Sequence, residues 1–571
     1  MSNAEIVEVL ELTVKLLELH EADAFKTKAF GVAAFYLDRF KTAELAQMNA
    51  AELVKVQGIG KSMASKIEQL GKTGHLPELD ELVAQTPPGV LEMFKIKGIG
   101  SKKIGVIWRE LGIDSLRELQ LACENGQIAR LKGFGEGTQQ KILESLAFLQ
   151  SQAGKLRMDK ADALAQLILE TLQTQFEKVA ITGEVARRSE TVETVQLLVG
   201  TALVVKAQQI INAIEWLAQT PKNSSPFVWR GKVNDAEIAV EIHLTTPERF
   251  ENQRFVLSAA AGHLSQVGGS GKTLLQTVAT ENFESDVAIY EKANLPYVIA
   301  EMREGQNEFD WAAKNEVNSL VTWNSLKGIL HNHSTYSDGK NTLEEMARFC
   351  QELGFEYLGI ADHSQSATYA QGLSIEKVRQ QHLEIDRLNA EFATSLQPFK
   401  ILKGIESDIL GDGSLDYPDE VLATFDYVVA SVHSNLTMSL EKATARLLRA
   451  IENPYTTILG HPTGRLLLSR EGYPIDYKAV IDACAQHGVV MEINASPWRL
   501  DLDWRWIGYC LEKRVKLSIN PDAHEKKGYF DMHYGVAMGR KGGLTQDMTF
   551  NALGLSEMDS YLTARKDSIG R

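Results

Sequence analysis

Gly328-Ile329-Leu330-His331-Asn332-His333-Ser334, with Asp338 four residues on, is a short apolar run that ends on two imidazoles and a carboxylate. Six more runs of the same kind follow, at 357–361, 401–405, 427–432, 457–460, 489–493 and 515–519. All are rich in β-forming residues, and all but the sixth end on side chains that bind hard or borderline metals. After His331, His333 and Asp338 come His363, Glu406, His433, His461, and finally Asp522 and His524. The sixth run ends on Glu492-Ile493-Asn494 and is left outside the ligand set. Between the runs lie helical stretches such as 342–353 and 441–451. Such alternation predicts βαβ units and a parallel sheet. If the sheet closes into a barrel, every strand delivers its C-terminal end to one face, and ligands far apart in sequence converge there.

Six imidazoles and three carboxylates without thiolate suit zinc, manganese or iron. Nine donors exceed the needs of one ion, so two or three divalent ions are expected. The competing reading treats these as scattered core or surface histidines. It must then place six of the thirteen histidines at strand ends by accident.

The motifs HNHSTYSDG (331–339), ADHS (361–364), GIESD (404–408), SVHS (431–434), GHPTGR (460–465), EIN (492–494) and NPDAH (520–524) closely resemble those of the PHP (polymerase and histidinol phosphatase) domain. The resemblance implies a distorted (β/α)7 barrel and a trinuclear site whose nine positions are the ligands above. Asp338 and His363 are read as catalytic residues as well as ligands. Arg465, just beyond His461, is read as a guanidinium that clamps a phosphate bidentately; a surface salt bridge is the alternative. Ser334 and Asn494 either orient ligands or cap helices.

With 571 residues the chain should form several domains. Its net charge of −15 means that any nucleic-acid contact must come from local patches and backbone amides. The four cysteines (Cys123, Cys350, Cys484, Cys510) have no CxxC spacing and are expected to be reduced and buried. No signal peptide or membrane-spanning run is evident, so a cytoplasmic protein is expected.

The first 150 residues are helical and carry a repeat: Gly58-Ile59-Gly60-Lys61, Lys97-Gly98-Ile99-Gly100-Ser101-Lys102 and Lys132-Gly133-Phe134-Gly135. A helix follows each copy. A GxG turn ahead of a helix N-terminus lets bare amides approach a phosphate. Three copies predict helix–hairpin–helix units, with Gly58, Gly60, Lys61, Gly98, Gly100, Lys102, Gly133 and Gly135 against DNA. Such contacts would be sequence-independent, on gapped or duplex ends.

The opening helices resemble the lyase domain of family X DNA polymerases, through Phe25-Lys26-Thr27-Lys28-Ala29-Phe30 and Gly58 through Lys66. In that family the lysine at the Lys66 position can form a Schiff base; a phosphate contact is the alternative. Lys61 is expected to help depress its pKa. Residues 156–315 resemble the family's palm and thumb, beginning at Thr182-Gly183-Glu184. The three metal-binding aspartate positions read Thr194, Gln196 and Glu241. Two-metal nucleotide addition needs carboxylates that bridge both ions, so this centre is read as degenerate. A rearranged, active centre is the alternative. Gly268-Gly269-Ser270-Gly271-Lys272-Thr273 suggests a P-loop but has Gln266 where the first glycine belongs, and is read as a plain loop. Residues 306–327 are read as a linker, and no role is assigned to the tail after Asp531.

The expected organisation is therefore multidomain α plus α/β: a lyase-like helical domain at 1–85, a second helix–hairpin–helix domain at 86–155, a degenerate palm and thumb at 156–315, and a metal-dependent PHP phosphoesterase at 316–571. Bacterial family X polymerases combine these parts in this order. The resemblance implies a manganese- or zinc-dependent 3′–5′ exonuclease acting on DNA ends in repair. A working gap-filling polymerase and a small-molecule phosphatase of the histidinol-phosphatase type are the alternatives.

Overall fold

The computed structural model describes the chain apart from residues 2, 39–44, 97, 235–237, 395–396, 398 and 570–571, and apart from the side chain of Ala4. Lys97, the first residue of the second GxG copy, therefore lies outside the described residues. The chain forms two compact units, Met1–Ala153 and Gly154–Arg571. Among the described residues no helix is long and apolar enough to cross a membrane.

The first unit is helical. Its long first helix, Asn3–Leu19, serves two cores. Leu10 and Leu17 join Phe30, Leu53 and Ile67, whereas Leu16 and Leu19 join Val90, Ile104 and Leu146. In each GxG copy the first glycine is left-handed: Gly58 at φ 81°, Gly98 at 86° and Gly133 at 84°. Side chains other than glycine adopt such values only at a cost. The helices Lys61–Thr73, Ser101–Leu111 and Glu136–Gln152 start directly after the second glycine.

Among its described residues the second unit holds a two-stranded ribbon, Leu156–Arg157 with Thr191–Val192, and two larger sheets. The smaller comprises β1 (Lys178–Thr182), β2 (Thr194–Gly200), β3 (Leu217–Gln219), β4 (Val228–Val233) and β5 (Ala239–Thr245), in the order β1-β2-β5-β4-β3. Only β2 and β5 are parallel, and their register sets Gln196 beside Glu241.

The larger sheet is parallel throughout and keeps sequence order: β6 (Gly328–Leu330), β7 (Tyr357–Ile360), β8 (Lys400–Asp408), β9 (Tyr427–Ser431), β10 (Ile458–Leu459), β11 (Val490–Asn494) and β12 (Leu517–Asn520). Every residue of β6, β7, β9, β10, β11 and β12 is buried, as expected for strands covered on both faces. Inside the barrel the Tyr427 ring occupies space that any side chain at Gly359 or Gly404 would need; a Cβ there would stand 2.4 and 2.3 Å from it.

The barrel nearly closes. At the C-terminal end Asn332 bridges Ala523, with His333 N–H donating to the Ala523 carbonyl (2.8 Å) and Asp522 N–H to that of His331 (3.1 Å). Deeper in the seam Asn551, from the tail, substitutes for ladder bonds. Its amide donates to the carbonyls of Gly328 (3.0 Å) and Ile519 (2.7 Å) and accepts from Ile519 N–H (3.0 Å). The tail to which the sequence assigned nothing thus closes the barrel.

The stretch read as a linker also differs from expectation. Leu320 and Val321 are fully buried, Val321 N–H donates to Leu544 O (2.9 Å), and the Trp311 indole donates to Gly543 O (2.9 Å). The palm meets the barrel through side chains as well. Lys541 is buried and donates to the carbonyls of Arg187 (2.8 Å) and Glu301 (3.2 Å) while pairing with Glu304. Glu190 accepts from Trp504 (3.2 Å) and Arg505 (2.7 Å).

Two outcomes follow. Asn551→Ala strands buried amide and carbonyl groups, so urea unfolding should show a loss of about 2–3 kcal/mol. The Asp531 carboxyl is pushed up to about 7 by burial and by Asp159 and Glu525. Its folded-state value lies above the unfolded one, so ionised Asp531 destabilises the fold above pH 7, and the penalty fades as pH falls. Asp531→Asn should therefore raise the thermal midpoint at pH 8, by a margin that narrows steadily towards pH 5.

Candidate metal centre

The ligands lie at or beyond the C-terminal ends of the strands, Glu406 two residues before β8 stops. The nine candidates fall into four overlapping groups whose ligand atoms lie within 4.8 Å of one another. These are His333, Asp338, His363 and His524; His331, His333 and Asp522; His331, Glu406 and His461; and His363, Glu406 and His433. The structure thus brings all nine to one end of the barrel.

Glu406 stands at the middle and is fully buried. Its Oε1 is 3.1 Å from His331 Nε2, 3.2 Å from His433 Nε2 and 3.1 Å from His461 Nε2. Its Oε2 is 2.8 Å from His363 Nδ1. Burial alone would push its carboxyl up, but His433, His331 and His363 outweigh burial and hold it well below the carboxylate range. Asp522 is held low in the same way by His331, His333 and Arg499. Burial, with His524 and His363 beside it, pushes His333 down to about 4, which keeps the imidazole neutral, as a ligand must be.

The residues fit divalent cations. His331 Nε2, His333 Nδ1, His363 Nδ1, His461 Nδ1 and Glu406 Oε2 are buried donor atoms with no hydrogen-bond partner. Buried polar atoms without partners are costly, and five in one cluster have a common explanation in bound ions. Two ligands, His331 at φ 84° and Asp522 at φ 52°, occupy the left-handed region, a cost of about 1–3 kcal/mol each that concentrates at functional sites.

An outer ring holds the ligands in place. Glu492, the residue left outside the ligand set, accepts from His331 Nδ1 (2.6 Å), from His461 N–H (2.8 Å) and from Asn520 (2.9 Å). A carboxylate can only accept, so it sets the His331 proton on Nδ1 and frees Nε2. Asp408 does the same for His433 at 2.5 Å. Asn494 donates to Asp522 (3.0 Å), whereas Ser334 donates its hydroxyl to Asp362 (2.7 Å) and bonds no ligand. Glu492 and Asp408 both stand in quoted motifs; the signal that marks them is an acid one strand-step from a ligand.

Arg465 is a correction. Its guanidinium binds Asp503 (3.0 Å) and the carbonyls of Arg499 (2.9 Å) and Leu500, so it secures the 499–503 loop and offers no fork to a phosphate. The arginine that reaches the centre is Arg499, with Nε 3.4 Å from Asp522.

Comparison with known proteins accounts for the whole chain. The PHP domain model matches residues 330–496, a helix-hairpin-helix domain residues 1–76, and a SAM-like helix-hairpin-helix tandem residues 90–147. The chain is 32% identical over 575 residues to "DNA polymerase/3'-5' exonuclease PolX" of Bacillus subtilis (strain 168), covering 98% of this chain and 99% of that protein. The chain belongs to the family X DNA polymerases that carry a PHP domain. It is also 27% identical to a probable phosphatase of Thermoanaerobacter sp. (strain X514) and 25% identical to one of Acetivibrio thermocellus, each over 43% of this chain and nearly all of the relative. Asp522 and His524 lie beyond the PHP match and reach the centre only because β12 closes the barrel.

At the family's palm centre the side chains bind one another. Gln196 donates to Glu241 (2.8 Å), Arg230 donates to its other oxygen (2.6 Å), and His243 lies 3.2 Å away. Chiefly through His243, and with Arg230 and Gln196 outweighing burial, Glu241 is held down to about 2. Thr194 offers no charge, and its N–H donates to Glu184 (3.4 Å). The Gly268–Thr273 segment is a tight turn that ends in a Thr273 cap on the helix Leu274–Val278.

In the hairpins a Cβ at Gly60, Gly98, Gly100, Gly133 or Gly135 would meet open space, so these backbones are accessible. Gly58 differs, because a Cβ would meet Tyr36 at 2.3 Å. Lys61 and Lys102 are exposed in the first turns of their helices. The third helix opens on Glu136, a poorer start for anion binding. Lys66 is pushed down by burial and then by Lys26, and is ion-paired with Glu78. Lys26, and not the expected Lys61, is the cation that acts on it.

Glu492→Gln keeps size but weakens the hold on His331. Metal titration by calorimetry should show affinity reduced about 10- to 100-fold, with the circular dichroism spectrum unchanged.

Proposed function

We propose that this protein is a metal-dependent 3′–5′ DNA exonuclease that trims DNA ends in repair, and that its palm no longer adds nucleotides. The observation that carries the reading is the cluster of nine ligands around Glu406, five of whose buried donor atoms make no hydrogen bond within the chain. Two or three divalent ions, manganese or zinc, or iron, are the proposed cofactors. Such ions acidify water towards neutral pH and offset charge on phosphodiester oxygens.

The chain's own residues supply the rest. Glu492 and Asp408 hold His331 and His433 in the tautomer that faces the centre. His333, neutral, and Glu406, ionised and buried, are both in the state that a metal ligand needs. Asp338 and His524, half-buried at the rim, face the entering strand with His363 behind them. Arg499 adds positive charge where a phosphodiester would lie.

The helix–hairpin–helix glycines, with Lys61 and Lys102, would hold DNA by its backbone without regard to sequence. Lys66, with its lowered pKa, is the proposed lyase amine. Loss of nucleotidyl transfer is supported by the palm centre, where Glu241 is already satisfied by Arg230, Gln196 and His243. The division at 1–85, 86–155, 156–315 and 316–571 is the one we propose. A phosphatase reading draws on the two probable phosphatases similar to the barrel, but leaves the hairpins without a use.

The deciding assay follows a 5′-labelled primer in a gapped duplex with manganese. Stepwise shortening from the 3′ end is expected, slowed at least about 100-fold in His331→Ala and Asp522→Ala. Phosphate release from simple phosphomonoesters should be far slower than DNA trimming. Added labelled dNTPs should give no extension; extension would overturn the reading of Thr194 and Gln196.

A further inference from the structure

Beside the metal centre stands an aromatic ring that the ligand chemistry does not use. Tyr369 lies in the short 3-10 turn Thr368–Ala370, between β7 and the rest of the barrel. Its ring is 61% exposed, yet its centroid is 6.1 Å from the His363 ring and 6.5 Å from that of His433. Single exposed aromatics are ordinary and need no explanation. The chain on either side of this one is anchored. Its neighbours Ala367 and Ala370 are buried. Ser366 N–H donates to Asp416 (2.7 Å), the Ser366 hydroxyl donates to Asp408 (2.8 Å), and Ser364 N–H donates to the Glu406 carbonyl (3.0 Å). The turn is therefore tied to two residues of the centre, while among the described residues the Tyr369 hydroxyl makes no hydrogen bond. The other exposed aromatic near the mouth, Trp498, has one face covered by the Arg157 guanidinium at 3.5 Å and offers no comparable platform.

We propose that Tyr369 stacks against the unpaired 3′-terminal base of a DNA strand whose last phosphodiester lies at the metal centre. This rests on the nuclease reading above and adds to it the residue that would hold the terminal base. Every base has a π-face, so a stacking platform is indifferent to base identity, in keeping with sequence-independent trimming. Arg499, on the opposite loop, supplies charge without stacking, and the two roles are separable.

The experiment is a cycle on the full chain. Single-stranded oligonucleotides carry either a normal 3′-terminal nucleotide or an abasic analogue there. Two quantities are read for each: Kd by fluorescence anisotropy without divalent metal, and kcat/KM for removal of the last nucleotide with manganese. Wild type should prefer the base-bearing end about tenfold in both. Tyr369→Ala should reduce the ratio to near one, and Tyr369→Phe should keep it. The ratio does not move if a variant merely folds or loads metal poorly. A wild type without preference, or a Tyr369→Ala that keeps it, overturns the proposal. Absence of cleavage by wild type on either oligonucleotide overturns the nuclease reading instead, and the Kd ratios still decide the role of Tyr369.

Discussion

A carboxylate with no access to water and four imidazoles within 3.2 Å is the constraint on which the second unit turns. Glu406 can sit there only because His331, His363, His433 and His461 arrive from separate strands at one depth. That depth exists because the sheet is parallel and in sequence order, so all strand ends face the same way. The same residues close the barrel: the chain around His331 and His333 pairs with that around Asp522 and His524. Site and seam are thus one structure, and the left-handed backbone of His331 and Asp522 is tolerated because both sides of the seam enforce it.

The smaller sheet shows how a lone acid settles among neutral and basic neighbours. Its parallel strand pair places Gln196 beside Glu241. With no second acid to repel it, Glu241 draws in Arg230, His243 and Gln196 and becomes a satisfied structural group. Elsewhere the domain braces the barrel, through Glu190 on Trp504 and Arg505 and through Glu304 on buried Lys541. Burying a lysine is tolerable only with carbonyls and a carboxylate around it, and palm residues supply all three.

Much of this was legible beforehand where the signal is local. Apolar runs ending on His or acid mark strands and donors because strand length and donor type are properties of a few adjacent residues. The GxG turns show for the same reason, as glycine alone takes the φ values at Gly58, Gly98 and Gly133 without a steric cost. What was misjudged depends on partners distant in sequence. Arg465 sits beside a ligand yet turns away, because Asp503 and two carbonyls come to it across the loop. Glu492 looks like one more ligand or none, and its service to His331 spans 161 positions. The cation that acts on Lys66 is Lys26, on the helix Ala24–Asp38, and not Lys61, nearer in sequence.

By itself, then, the amino-acid order determined the strand series, the nine donors and the hairpin repeat, since each is written in residue type and spacing. Only the tertiary structure decided which acid orients which imidazole, which arginine faces the centre, that the tail's Asn551 completes the seam, and that Tyr369 is left bare beside the ligands. The physical reason is that hydrogen bonds and ion pairs are settled by proximity in space. In a barrel closed by its first and last strands, proximity bears no simple relation to distance along the chain.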